Sequence, residues 1–489
     1  MLPSGKVSIR VADARLLAPL PVRRVRLLGP LEDWQEALEA VGLEIVDGEA
    51  DLVVTTPRHA RTASALGAPT ILVLGARRRA LRRAGYSTQT LLVRPGTAGP
   101  RLFVPVDAPA AARHALLARI PERTLSKRVA IRLTLAALRA GLPLRGAMTL
   151  ATRGPKTPRL LTAAVSSLLR GPLQWYLLTG EGDDLQRVVW FCFGETASEP
   201  ELIVKCSRVP GNEAPFDRDE RALQGLEILP PALRRRAPTL AGRLQVDGLP
   251  VAVETAASGQ PLHVVLPGAR PEAATDMIDR IASWVVDVAG ATSLPSTDLR
   301  AELERLDTSV LPQWSGQGAP LGLAAALPPL PAVLQHNDLG CWNVLVRGED
   351  FTVVDWESSR RAGLPLWDLV YFLTDALTAL TDPADGRAKE HVVAALLRGE
   401  LPLSTALFTR VAEAAGQLGV PLTAVGPVVT LAWLHHGLSA DARARAGAAH
   451  GATTGAASAT GPLQRVASYW LSDPGLGVGW QAFAASHDA

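Results

Sequence analysis

Apolar and polar positions follow two different rhythms along this chain. Through residues 1–120, short apolar runs alternate with amphipathic stretches. Residues 24–28, 43–46, 51–55, 69–74 and 91–94 read as strands. Residues 31–40, with Trp34, Ala37 and Leu38 on one side, and 110–120 read as helices. Strands alternating with helices imply a parallel sheet, so 1–120 is expected to form a Rossmann-like α/β domain. Gly29-Pro30 follows the first strand in place of the glycine fingerprint for a dinucleotide, so this domain announces no cofactor. Residues 121–165 read as a basic helical connector, carrying Arg123, Lys127, Arg128, Arg132, Arg139 and Arg145, with a linker at 152–158. Beyond it, 174–178, 186–193 and 201–206 read as strands, and 216–226 as a helix. Residues 344–346 and 351–354 form a hairpin pattern around Arg347-Gly348-Glu349-Asp350. The Ala/Gly/Thr/Ser-rich stretch 446–461 reads as a loop, followed by a short helix at 462–471.

Composition narrows the classes. With 489 residues and 47% of them hydrophobic, the chain can bury more than one core. Net charge is only +3, yet residues 1–150 hold 23 Lys/Arg against 11 Asp/Glu. The basic stretch 121–146 is expected to be a solvated connecting helix, in preference to a membrane-surface or nucleic-acid contact. The absence of an uninterrupted 18-residue apolar run or a signal-peptide pattern leads to an expectation of a cytoplasmic protein without a transmembrane segment. Cys192, Cys206 and Cys341 are too far apart for metal or redox spacing and read as reduced thiols. There is no G-x-x-x-x-G-K-[ST], G-x-S-x-G or H-E-x-x-H.

The strongest chemical signal is local. Two of the three asparagines fall in His336-Asn337-Asp338-Leu339-Gly340-Cys341-Trp342-Asn343. The shape H-x-D-x-x-x-x-N is the spacing of kinase catalytic loops. Phosphoryl transfer asks for an oriented hydroxyl and for cations on the phosphate oxygens. An aspartate beside the hydroxyl orients it and takes its proton, which suits Asp338. Magnesium prefers a few oxygen ligands and keeps several waters. Asn343 supplies an amide oxygen and Asp355 a carboxylate, once the intervening hairpin returns the chain.

HNDLGCWNVLV, VVDWE and GLPLWDLVYFL together resemble the aminoglycoside phosphotransferase and choline kinase group of small-molecule kinases. The resemblance implies a bilobal protein-kinase-like α+β fold, with the N-lobe at 166–258 and the C-lobe at 259–489 holding a helical acceptor-binding subdomain. It implies ATP and Mg2+ as cofactors. Asp338 would then be the catalytic base, Asn343 and Asp355 the metal ligands, His336 a brace of the loop, and Asp368 a structural aspartate beneath it. Asn337 departs from the family's usual Gly, but Asn tolerates unusual backbone angles.

A kinase also needs a strand lysine for the α/β-phosphates and a helix glutamate to hold it. Lys205 ends the apolar run Glu201-Leu202-Ile203-Val204-Lys205, in a chain with five lysines and 45 arginines. A retained lysine favours a compact ammonium over a planar fork. Glu220 fits the family's helix glutamate, with Glu213 as competitor. Gly180 and Gly182 place a glycine turn before Lys205, where nucleotide phosphates would lie. Residues 251–259, with Glu254 and Ala256, resemble the hinge whose main chain would meet adenine.

Only five acids, Glu400, Glu413, Asp441, Asp473 and Asp488, lie in 391–489, alongside Trp433, Tyr469, Trp470 and Trp480. Few acids and several rings favour a neutral sugar or other polar hydroxyl compound over a polycation as acceptor. The alternative from another class is a pseudokinase-like scaffold that binds nucleotide or partner proteins without turnover. An intact Asp338, Asn343 and Asp355 argues against it. A third reading, an active N-terminal transferase, lacks a recognisable cofactor pocket.

Overall fold

The computed structural model describes residues 8–75, 77–95, 100–119, 125–139, 146–180, 185–381, 389–449, 462–473 and 480. The chain divides into two compact units. The first is Met1–Glu213, Leu240–Ala256 and Arg443–Ala457, and the second Ala214–Thr239, Ala257–Ala442 and Ser458–Ala489.

The first unit is built on one twelve-stranded sheet. Its strands are β1 (Arg24–Leu28), β2 (Glu44–Ile45), β3 (Leu52–Thr55), β4 (Thr70–Val73), β5 (Ser87–Pro95), β6 (Pro100–Pro105), β7 (Ala147–Thr152), β8 (Gln174–Leu178), β9 (Val188–Phe193), β10 (Leu202–Cys206), β11 (Leu240–Val246) and β12 (Leu249–Thr255). The order is β11-β12-β10-β9-β8-β6-β5-β7-β4-β3-β1-β2. Only β2-β1-β3-β4 are mutually parallel. β3 and β4 read LVVT and TILV and are buried throughout, as strands covered on both faces are.

The purely parallel sheet expected for 1–120 is therefore corrected. β7 enters antiparallel between β4 and β5, with Leu72 opposite Leu150 and Leu91 opposite Met148. Its sequence AMTLAT is buried at every position. It lacks the polar/apolar alternation that marks a strand, and it lay hidden within the expected connector. The rest of that stretch does contain a helix, Leu125–Arg139. β6 then pairs with β8 through Leu102–Leu178 and Phe103–Leu177. That junction joins the N-terminal strands to the antiparallel set β8-β9-β10-β12-β11. One cluster of buried side chains runs through Leu16, Val25, Phe103, Trp175, Val204 and Val253. The expected boundaries at 120 and 165 both fall inside this unit.

A 3-10 segment, Ile9–Leu17, is pinned beneath the sheet by charge. Asp13 and Arg208 are each 0% exposed, and Arg208 Nε lies 3.0 Å from both Asp13 carboxyl oxygens. Arg208 also donates to the Thr179 and Gln186 carbonyls, and Arg10 to the Thr179 and Gly180 carbonyls. Burial pushes the Asp13 carboxyl up despite the pull of Arg208, and pushes the Arg15 guanidinium down.

The second unit is mainly helical. Ala214–Glu227, Pro271–Ala291, Trp367–Leu380, Ser404–Gln417 and the helix Leu422–Ala449 as far as residue 442 are its longer helices. Two small sheets complete it: β13 (Gln260–Pro261), β15 (Val344–Arg347) and β16 (Asp350–Val353) in one, and β14 (Val333–Gln335) with β17 (Arg360–Gly363) in the other. Residues 446–449 of the expected loop continue the long helix, and 450–461 lie outside the described residues. Trp433, Trp470 and Trp480 are buried. Three of the four rings counted toward an acceptor site are therefore core. No single helix among the described residues is long and apolar enough to cross a membrane, although Ser404–Gln417 and Leu422–Leu438 reach that length and composition together, bent by 114°.

Removing one partner of a fully buried ion pair leaves the other charge uncompensated. Asp13→Ala should therefore lower unfolding stability by about 3–5 kcal/mol in chemical denaturation. A loss within about 1 kcal/mol, the range of exposed pairs, would refute this role.

Candidate functional site

In the second unit, β14 delivers the chain to His336, and β17 covers β14 from the other direction. His336 is buried; its Nδ1 accepts the Asp338 N–H at 3.3 Å. Its Nε2 donates to the Val354 carbonyl at 3.0 Å, which ties the loop to the far end of the hairpin. Asn337 adopts a left-handed conformation (φ 64°). Asn reaches this region more readily than most residues, so the departure from Gly is accommodated. A 3-10 turn, Cys341–Asn343, closes the loop. Gly340 makes it possible, since a Cβ there would lie 2.4 Å from the Trp342 ring.

The hairpin gathers the acidic end. Val344 is opposite Val353 and Arg347 opposite Asp350. The Val354 N–H donates to the Asn343 carbonyl at 2.9 Å, so Asp355 follows directly beside Asn343. Asp355 is also left-handed (φ 72°). Asn343 Nδ2 donates to the Asp338 carbonyl at 2.8 Å and lies 3.3 Å from Asp338 Oδ2. That bonding commits the amide nitrogen to Asp338 and directs Asn343 Oδ1 elsewhere, an assignment set by the network. Asp338 and Asp355 are both half-buried.

Asp368, on the helix Trp367–Leu380, holds the loop from below. Its Oδ2 accepts the His336 N–H at 2.5 Å and its Oδ1 the Asn337 N–H at 2.8 Å. Burial pushes its carboxyl up to about 7, against the two N–H bonds, which pull it down. One residue the sequence reading missed acts beside it. Asp375 accepts the Cys341 N–H at 2.8 Å. Asp368 and Asp375 are seven residues apart, two helical turns, and so share one face; that spacing was the available signal. The helix Ala214–Glu227 also docks here: Arg218 Nε donates to the Glu357 carbonyl at 2.6 Å and Ser359 Oγ to the Arg218 carbonyl at 3.0 Å.

In the first unit, Lys205 lies on β10 opposite Ala252, and Ile203 lies opposite Glu254. Lys205 and Glu254 are thus diagonal neighbours on one face of the sheet. Their side chains pair at 2.7 Å, 6% and 3% exposed. Glu254 is a strand residue laddered between β10 and β11, and its carboxylate is the one beside Lys205. Glu213, one candidate for that pairing, bonds Arg243 and Gln245 at 2.8 Å each. Glu220, the other, has Gln224 at 3.3 Å within its helix. The Ala256 N–H donates to the Glu201 carbonyl at 2.9 Å. Gly180 takes φ 72°, and Gly182 lies outside the described residues.

Among the described residues, no group of three or more His, Cys, Asp or Glu side chains is arranged to hold a metal. The donor pair Asn343 and Asp355 is of another kind, one amide and one carboxylate oxygen on adjoining backbone. It suits a hard cation that keeps most of its waters.

Residues 221–413 match the model of the family described as "Phosphotransferase enzyme family". No curated protein matches the chain. Similar solved structures include the aminoglycoside phosphotransferase APH(3'')-Id from Streptomyces rimosus in complex with ADP and streptomycin, at 15% identity, covering 52% of this chain and 92% of that one, with a TM-score of 0.31. Another is the streptomycin-ATP-APH(2")-IIa ternary complex, at 10% identity, 55% and 94% coverage, and a TM-score of 0.31.

The Asp368 proton gives a pH test. A carboxyl raised from 3.8 to about 7 by burial keeps its proton in the folded state over a range where the unfolded chain releases it. Its contribution to stability is then greatest below pH 3.8 and declines as pH rises toward about 7. The unfolding free energy of the wild type relative to Asp368→Asn should fall across that window. A difference that grows with pH would mean that the two N–H bonds outweigh burial.

Proposed function

From residues 221–413 as a segment of the phosphotransferase enzyme family, we propose that this protein is a small-molecule kinase that transfers the γ-phosphate of ATP to an acceptor hydroxyl, with Mg2+. The observation that carries the reading is that Asn343 Nδ2 bonds Asp338 while the Val354 N–H, one residue before Asp355, bonds the Asn343 carbonyl. Asp338 orients the acceptor hydroxyl and takes its proton as the bond to phosphorus forms. Asn343 and Asp355 hold the magnesium ion, which when bound neutralises charge on the phosphate oxygens. Asn343 also positions the Asp338 carboxylate through Nδ2. Lys205, paired with Glu254, serves the α/β-phosphates.

The acceptor is a sugar or related polar hydroxyl compound. Trp342, one residue before Asn343, is 40% exposed and meets Tyr371 edge-on at 6.2 Å. An exposed indole beside the transfer residues offers a face on which the apolar side of a sugar ring stacks. The buried Trp433, Trp470 and Trp480 contribute only to the core.

Asp338→Ala should reduce MgATP-dependent phosphorylation, screened against sugars, amino alcohols and aminoglycosides, to background. MgATP should still raise the melting temperature of that variant. Asn343→Ala and Asp355→Ala should lose most of the thermal shift. Retained turnover in Asp338→Ala would overturn the base assignment. A wild type whose melting temperature ignores millimolar MgATP would favour the scaffold.

A further inference from the structure

One side chain reaches the catalytic loop from almost a hundred residues away. His435, on the helix Leu422–Ala449, places Nε2 3.2 Å from Asn337 Nδ2. Asn337 is the residue whose left-handed turn leads into Asp338, and whose N–H is bound by Asp368. Its Nδ2 also donates to the Ser358 carbonyl at 3.2 Å, two residues beyond Trp356 in the turn after Asp355. The Asn337 side chain thus bridges the two arms of the site, and His435 is its third point of attachment.

The hydrogen bonds fix the state of the ring. The Ser358 carbonyl only accepts, so the amide must present N–H there. The second N–H of the same nitrogen faces His435 Nε2, which therefore acts as acceptor, and the neutral ring carries its proton on Nδ1. On the Nδ1 side, Arg305 Nη2 stands at 3.5 Å; it can only donate, so it makes no hydrogen bond to a protonated Nδ1, and the shorter Asn337 contact decides the tautomer. Arg305 is held by Glu302 at 2.7 and 2.8 Å, and Glu302 in turn takes Arg360 at 3.1 Å. His436, on the same helix, lies 5.6 Å away ring to ring, and the Trp367 ring 5.4 Å away. An imidazolium here would set a second N–H against the amide N–H and a cation beside Arg305. Acidification should therefore break the Asn337 attachment.

We propose that neutral His435 is a positioning residue for the transfer step: it holds the Asn337 side chain, and with it the turn that carries Asp338, and protonation of the ring releases that hold. The assignment rests on the kinase reading for its consequence, but its geometry can be tested without turnover. In 15N-histidine-labelled protein, with His435 assigned by comparison with His435→Gln, Nε2 should be unprotonated and Nδ1 protonated at neutral pH. On acidification the ring should become imidazolium, and the Asn337 side-chain amide signal should move with the same midpoint. A protonated Nε2 at neutral pH, or an Asn337 amide that ignores the titration, would overturn the proposal whatever the activity.

The kinetic arm uses MgATP hydrolysis, with water as the acceptor. His435→Ala should lower kcat roughly tenfold, about the effect of 1.4 kcal/mol, with the KM for MgATP unchanged. His435→Gln, which keeps an acceptor but cannot titrate there, should recover most of kcat and lose the acid-side decline of the wild type. In Asn337→Gly, which retains the left-handed turn without the side chain, His435→Ala should have no further effect. Additive losses, or an unaltered acid limb in His435→Gln, would show that His435 acts through packing alone. Failure of the wild type itself to hydrolyse or transfer phosphate would count against the kinase reading and leave the resonance result to decide the geometry.

Discussion

The site depends on one carboxylate that touches no reacting atom. Asp368 accepts the N–H groups of two successive residues, His336 and Asn337, and the second of these is left-handed. A left-handed residue with a side chain costs about 1–2 kcal/mol, and a buried N–H without an acceptor costs about 1–3 kcal/mol. A buried acceptor that bonds both amides offsets the first penalty and avoids the second. The turn is then rigid, and rigidity is what places Asp338 against Asn343. Asp375 repeats the device two helical turns later at Cys341. The helix Trp367–Leu380 is thus a template whose acidic face sets the shape of the loop.

The parts of this site that were legible in the sequence are those where chemistry demands a residue type at a spacing. Asp338, Asn343 and Asp355 follow from a loop and a two-strand hairpin, both local features. Lys205 was legible because lysine is rare in this chain. Its partner was not, because pairing with Glu254 is set by register between β10 and β12, and register is tertiary information. Helix Ala214–Glu227 drew attention to Glu220 only because kinases usually find their glutamate there. His435 carries no motif of its own and stands beside His436 in an apolar helix. Nothing local says that it meets Asn337.

β7 failed for a different reason. Sequence periodicity finds strands that are half wet, and AMTLAT is dry on both sides. Once β7 is in place, the N-terminal strands and β8–β12 form one sheet with a shared core. Strands β1–β7 and β8–β12 thus belong to one sheet. Through Asp13 the N-terminal segment reaches Arg208, three residues after Lys205 and two after the end of β10. It therefore anchors the strand that presents Lys205.

Two aspartates near the same turn differ in their hydrogen-bond partners. Asp338 faces the Asn343 amide N–H; Asp368 accepts the two backbone N–H groups of His336 and Asn337. A proton acceptor must meet its substrate, and a scaffold carboxylate must not. Opposite environments for paired carboxyl groups are how one fold assigns them different tasks. Exchange of the two roles would need the turn inverted, and the positive φ at Asn337, with its amide tied to Ser358, is what prevents that. The orientation of Asp338 is thus tied to the residue before it, and the Asn found there reaches Ser358 and His435 through a side chain that Gly would lack.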